Sequence, residues 1–363
     1  MGHPCRCLQS APTCVPTPAR RPSVSAATEI PAAIPNPQGL EPPKRRRGGL
    51  NAEHGRWAVY LIGPTIVLLA VVIGYPVVSA IIQSFQLDAG LDKATGLFVE
   101  GGFAGVTNYV HWLGQQCGNV TCPPGSLGAQ FWVSFGNTFF FTVVTVLAET
   151  LIGVWMAIIM NRNFKGRALV RAAILVPWAI PTAVTAKLWY FIFDANGVLN
   201  HVIGHQILWT SGEWASRFAV IIADTWKTTP FMALLILAGL QLIPEEVYEA
   251  GKMDGASTVQ RFMLITLPLL KPALMVAILF RVLDALRMYD LPAILTGGGG
   301  GSGNATTTLS ILVVDQIRQG FNSASALSTI TFLIIFVVAF LFVRFLGANV
   351  VQTQAAQQKG ELK

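Results

Sequence analysis

Long apolar blocks, rather than amphipathic stripes, dominate this chain. They predict membrane spans at 57–85, 131–160, 169–193, 215–242, 271–295 and 325–347. A bilayer core about 30 Å thick is crossed by a helix of roughly 20 apolar residues, and each block can supply that. Prolines interrupt several blocks: Pro64 and Pro76 in the first, Pro177 and Pro181 in the third, Pro230 in the fourth. Spans tolerate proline when neighbouring groups satisfy the freed carbonyls. The pattern predicts an all-α polytopic membrane protein with six transmembrane helices.

Polar stretches separate and flank these blocks. Residues 1–55 are rich in Pro, Ser, Ala and Arg without apolar periodicity, and are expected to be a disordered tail. They contain no apolar core of a secretory signal. The spans then form one domain over 56–348, and 349–363 is a second tail. Three cysteines, Cys5, Cys7 and Cys14, lie in the head without partners for a zinc site. Cys117 and Cys122 share a loop, where a disulfide and two free thiols are both open.

Charge sharpens the picture. Of 363 residues, 53% are hydrophobic and 12% charged, about half the charged share of a soluble domain. The net charge of +7 would suit nucleic acid in a soluble protein. Its distribution follows the membrane rule instead, in which Lys and Arg collect on the cytoplasmic side. The head holds Arg6, Arg20, Arg21, Lys44, Arg45, Arg46, Arg47 and Arg56. The second loop holds Arg162, Lys165, Arg167 and Arg171, and the fourth Lys252, Arg261 and Lys271. The alternate loops hold only Lys93, Arg217 and Arg318. Both termini are therefore expected in the cytoplasm, with Cys117 and Cys122 outside.

The fourth loop, 244–268, carries its own instructions. Pro244 suits the first turn of a helix, and Glu245 and Glu246 complement the helix dipole. That helix should stop at Asp254-Gly255, because glycine accepts the left-handed position after a helix end. Ser257, with Gln260 three residues on, is a capping box for a second short helix. Pro268 marks that helix's end or a break before span five. An amphipathic connector on the membrane surface has the same shape. A DNA-reading helix-turn-helix does not fit, because Glu245, Glu246, Glu249 and Asp254 outweigh Lys252 and Arg261.

Charges also lie inside the spans. Arg281, Asp284, Arg287 and Asp290 recur every three residues with alternating sign, which on one helix makes each a neighbour of the next. A charge at the bilayer centre costs roughly 2.5–3.5 kcal/mol on insertion scales, and pairing reduces that cost. The ladder reads either as a polar face on a solute path or as a structural seam. Asp284, Arg287, Tyr289, Asp290 and Lys227 are the candidate path residues. Glu149, Lys187 and Asp224 are further intramembrane charges.

The run Glu249-Ala250-Gly251-Lys252-Met253-Asp254-Gly255, nine residues, then Ile265-Thr266-Leu267-Pro268 resembles the EAA loop of binding-protein-dependent ABC transporter permeases. Trp226–Met232 and Phe280–Asp290, leading to Leu295-Thr296-Gly297-Gly298, are similar to the sugar-permease branch, relatives of the maltose-transporter membrane subunits. Within it they look most like actinobacterial trehalose-type permeases. The resemblance covers about 57–347 and implies the type I ABC importer permease fold and import of a sugar such as trehalose or maltose. It implies that Glu249 pairs with a basic residue of an ATPase, that Gly255 permits the turn seated in its cleft, and that Asp254 fixes that turn. Ala250, Gly251, Ile265, Leu267 and Pro268 complete the motif. One residue departs from the pattern: the second alanine is Gly251, expected to loosen the first helix by about 1 kcal/mol.

The implied partners are a second, different permease, a dimer of ATP-binding subunits, an extracytoplasmic sugar-binding lipoprotein, the sugar and membrane lipid, with no nucleic acid. The implied location is the bacterial plasma membrane. The glycine run Thr296–Gly303 reads as a flexible external loop, either a mere linker or, by the same resemblance, a loop facing the binding protein, and by that resemblance 309–321 forms a short external helix. The chain has no G-x4-G-K-[ST] phosphate loop, so ATP and Mg would be bound by the partner. It is expected to be no enzyme and to need no cofactor or metal of its own. An ion-coupled carrier is the rival reading, with Glu149 and Asp284 carrying protons.

Overall fold

The computed structural model describes residues 50–91, 96–118, 120–300 and 304–361. The head cysteines, most of the predicted disordered tail, Lys93 and the end of the glycine run lie outside these residues. Contacts divide the chain after Pro64; the described part of the first unit is helical, and every side-chain contact and site below lies in 65–363.

Among the described residues, fourteen α-helices follow one another. They are α1 (Leu50–Leu69), α2 (Tyr75–Gln83), α3 (Thr107–Gly114), α4 (Phe131–Asn161), α5 (Arg167–Ala179), α6 (Thr182–Phe193) and α7 (Val198–Ile203). The second half comprises α8 (Glu213–Gln241), α9 (Glu245–Met253), α10 (Thr258–Arg261), α11 (Leu267–Ala285), α12 (Asp290–Leu295), α13 (Leu309–Ile317) and α14 (Phe321–Glu361). Among the described residues five helical runs are long and apolar enough to cross a membrane, and α5 with the run after it makes a sixth if the bent pair is one span. Large apolar side chains such as Leu68, Val143, Leu151 and Phe336 are exposed. For helices of this length that exposure fits a lipid-facing surface.

Two predicted spans differ in shape. The third is not one helix across 169–193 but bends by 92° between α5 and α6. Ile180 precedes Pro181, whose ring disfavours the helical region for the residue before it, and Ile180 is extended at φ −74°, ψ 132°. The fifth starts earlier than 271: the run Thr258–Ala285 is helical throughout, with a π turn at Phe262–Thr266 just before Pro268. It also ends earlier than 295. In a continuous helix the carbonyl of Met288 would take the N–H of residue 292, which is a proline and has none. The Thr308 hydroxyl donates to that carbonyl instead, at 2.8 Å. The charge ladder of 281–290 is thereby split between α11 and α12.

Packing is tightest where small residues meet. A Cβ at Gly153 on α4 would lie 3.2 Å from Met232 Cβ on α8, and Gly239 on α8 sits directly against Ala273 on α11. Around these contacts Ala157, Met160, Met232, Ile236, Leu240, Leu270 and Ala277 form one core. A second joins Phe141, Phe193, Ala219, Ala223, Leu291 and Leu295. A third lies around Trp112, Phe131, Leu309, Leu312 and Leu327. At that end a disulfide joins Cys117 and Cys122. Asp88 accepts from the N–H groups of Asn322 (2.7 Å) and Ser323 (3.0 Å), capping the start of α14.

Candidate functional site

The loop after α8 folds back on itself, and local rules account for each step. Pro244 stands at φ −60°, ψ 140° and α9 begins at Glu245, with Glu245 and Glu246 in its first turn. The helix closes with Asp254 as cap. Gly255 takes φ +77°, the N–H of Gly255 bonds the carbonyl of Lys252 and that of Ala256 bonds Gly251. This pair of bonds is the Schellman ending that glycine makes accessible. Ser257 and Gln260 then form the reciprocal capping box that opens α10.

The fold-back explains the spacing of the motif. A Cβ added at Gly251 would lie 2.8 Å from Ile265 Cδ1 and 3.5 Å from Arg261 Cγ. Thr266 Oγ1 donates to the Tyr248 hydroxyl at 3.2 Å. Gly251, the buried residue of α9, therefore meets the second half of the motif, and only a small residue fits there. The motif divides by exposure. Ile265 and Leu267 are half-buried, whereas Glu249, Ala250, Asp254, Gly255 and Pro268 are exposed and Met253 is 88% exposed. Gly251 thus belongs to a close contact, and helix propensity alone does not describe it. Gly251→Ala is expected to change stability by less than about 1 kcal/mol, since the gain in propensity offsets a shift of the Ile265 terminus. Gly251→Leu is expected to cost about 1–3 kcal/mol by overpacking. Thermal melting of the purified protein checks both.

The intramembrane charges converge from three helices. Arg281 on α11 is 2% exposed. Its Nη2 lies 2.9 Å from Glu149 Oε1 on α4, its Nε reaches Glu149 Oε2, and Nη2 also binds Asp224 on α8. Its Nη1 reaches Asp284 at 3.1 Å. Glu149 additionally accepts from the Thr228 hydroxyl at 2.6 Å. One turn along α8, the Lys227 ammonium donates to the Ile180 carbonyl at 2.7 Å, the group that the bend between α5 and α6 sets free.

Of the predicted path residues, Asp284 has 64% of its side chain exposed. Arg287 and Asp290 are also exposed, Tyr289 is half-buried, and Lys227 is buried. Among the described residues Arg287 and Asp290 make no ion pair. Sequence reasoning set Arg281 beside Asp284 but missed its bonds to Glu149 and Asp224. The available signal was that charges within spans require partners, and these three were candidates for one another.

Residues 149–352 match the family model described as "Binding-protein-dependent transport system inner membrane component". The chain belongs to this family. It is the membrane-spanning permease component of an ABC importer, a transport component without catalysis of its own. It is 40% identical over 239 residues to the trehalose/maltose transport system permease protein MalF of Thermococcus litoralis, covering 64% of this chain and 76% of that one. It is 36% identical over 309 residues to the trehalose transport system permease protein SugA of Mycobacterium tuberculosis, covering 84% and 92%. Its fold matches a chain of a bacterial ABC transporter that imports alginate. The TM-score is 0.64 at 19% identity, with 82% of this permease and 98% of the other covered.

Proposed function

We propose that this permease imports a sugar of the trehalose–maltose class, driven by ATP hydrolysis in a partner subunit and delivered by an external binding protein. The observation that carries the coupling reading is the fold-back of 245–268. It presents Glu249, Met253 and Asp254 outward on a tip braced by Gly251 against Ile265. An acidic, partly apolar tip on a braced turn suits docking into a basic cleft. The names of MalF and SugA support the sugar class. The Lys and Arg count supports a cytoplasmic loop and cytoplasmic termini. The implied assembly pairs this chain with a second, different permease and two ATP-binding subunits.

Alternating access is the proposed movement, and the buried charges support it. Arg281 ties α4, α8 and α11 together, so a push on α9 moves these helices as one body. Asp284, Arg287, Tyr289 and Asp290 lie where α11 gives way to α12 and are the proposed sugar-facing groups. The proton-coupled reading asks Glu149 and Asp284 to exchange protons; Glu149 is enclosed with Arg281 and Thr228, which disfavours it, while Asp284 is open but bonded to the same Arg281. Uptake of labelled trehalose and maltose in cells deleted for this chain tests the sugar class. Loss of uptake, restored by the wild-type chain and weakened by Asp290→Ala at unchanged protein level, is expected. Uptake unaffected by the deletion would refute the assignment.

A further inference from the structure

Residues at or near one end of each of three membrane-length helical runs, Asn161, Leu240 and Thr258, meet the fold-back loop around one cavity. The cavity measures about 690 Å³. Its lining joins two chemistries. Arg162, Lys252 and Arg261 contribute three cations against the one carboxylate of Glu245, while Val259 and Met263 supply apolar wall. Val259 is 68% and Met263 53% exposed. Arg162 and Lys252 are exposed and form no ion pair among the described residues. Arg261 spends only its Nη2 on a side-chain partner, Thr258 Oγ1 at 3.3 Å. Its stem is held against Gly251, which fixes where the guanidinium sits.

We infer that this cavity binds the phosphate headgroup of an anionic phospholipid from the leaflet at that end of the spans. Basic pockets between spans at the membrane–water boundary are suited to such headgroups. The excess of cations supplies the attraction, and Arg261 supplies a planar fork for phosphate oxygens. The apolar wall decides between sources. A free phosphate has no use for Val259 and Met263, whereas a lipid's glycerol and first methylenes cover them. A lipid held there touches both α9 and the start of the fifth span, and so would brace the loop from the membrane side. The inference is independent of the sugar assignment, because lipid binding requires neither sugar nor ATPase.

The test is a lipid titration of the purified full-length chain in neutral detergent, read by native mass spectrometry. Phosphatidylglycerol is compared with phosphatidylcholine. The parent is expected to retain phosphatidylglycerol preferentially. Each neutralised cation is expected to weaken retention about fivefold, and all three together roughly a hundredfold. The variants are Arg162→Gln with Lys252→Gln, then Arg261→Gln added. Arg318→Gln, between α13 and α14 and outside the cavity, is expected to leave retention unchanged. If Arg261→Gln lowers the melting temperature in neutral detergent, the double variant carries the test alone. Equal retention of the two lipids, or retention unaffected by the double variant, would overturn the site. Displacement of phosphatidylglycerol by inorganic phosphate alone would assign the cavity to free phosphate. Loss of the lipid when the ATPase is added would make it a protein contact. Either of the last two results overturns the lipid assignment.

Discussion

Arg281→Met is expected to lose most of the folded permease from the membrane fraction. The change leaves Glu149, 0% exposed, and Asp224, 6% exposed, without their shared cation. Breaking a buried ion pair by removing one partner costs about 3–5 kcal/mol, because the remaining charge is left uncompensated. Here two carboxylates are stranded on α4 and α8, helices that otherwise pack through Gly153 against Met232. The triple change Glu149→Gln, Asp224→Asn, Arg281→Met removes the charges together and is expected to recover much of the loss. Quantitative blotting of membranes with thermal melting in detergent separates the two. If Arg281→Met accumulates and melts like the parent, the charge cluster does not hold the three helices. If the triple variant is as poor as the single one, size and hydrogen bonding rather than charge set the cost.

Glu249→Arg is expected to give the opposite pattern: normal accumulation and melting, but little transport. Glu249 is exposed and makes no ion pair among the described residues, so its reversal disturbs nothing within the chain. Its effect belongs to a partner. A hot-spot residue at the centre of an interface costs at least about 2 kcal/mol when lost, or roughly 30-fold in affinity. Co-purification of the ATPase with the tagged permease, in parallel with uptake, reads this directly. A drop in both at constant permease level is the expected result. Retained ATPase with retained uptake would remove Glu249 from the docking surface.

These two residues also mark where sequence reasoning stopped. The fold-back loop was legible because short-range rules govern it. Pro244 opens a helix, Gly255 supplies a positive φ, and Ser257 with Gln260 caps the next helix. Five of the six expected membrane-length segments were legible from block length alone, and the third appears as a bent pair. The charge cluster was not, because Arg281 and Glu149 are 132 residues apart and Arg281 and Asp224 are 57 apart. Periodicity along one helix instead suggested an unbroken ladder through Asp290. Just past the end of α11, the Met288 carbonyl is served by Thr308, 20 residues later. Pro181 was read as a tolerated proline inside the third span, whereas the chain turns by 92° there, with the Lys227 ammonium at the Ile180 carbonyl. Gly251 appeared as a weakened helix position until Ile265 was seen to occupy the space of its missing methyl.

The central claim is that ATP hydrolysis in a partner, transmitted through 245–268, moves sugar past this chain. The most direct measurement is trehalose uptake into vesicles holding the assembled transporter, with the binding protein outside and nucleotide enclosed. The account predicts uptake that requires enclosed ATP, survives a proton uncoupler, and falls with Glu249→Arg. Uptake that proceeds without ATP and collapses with the uncoupler would contradict it.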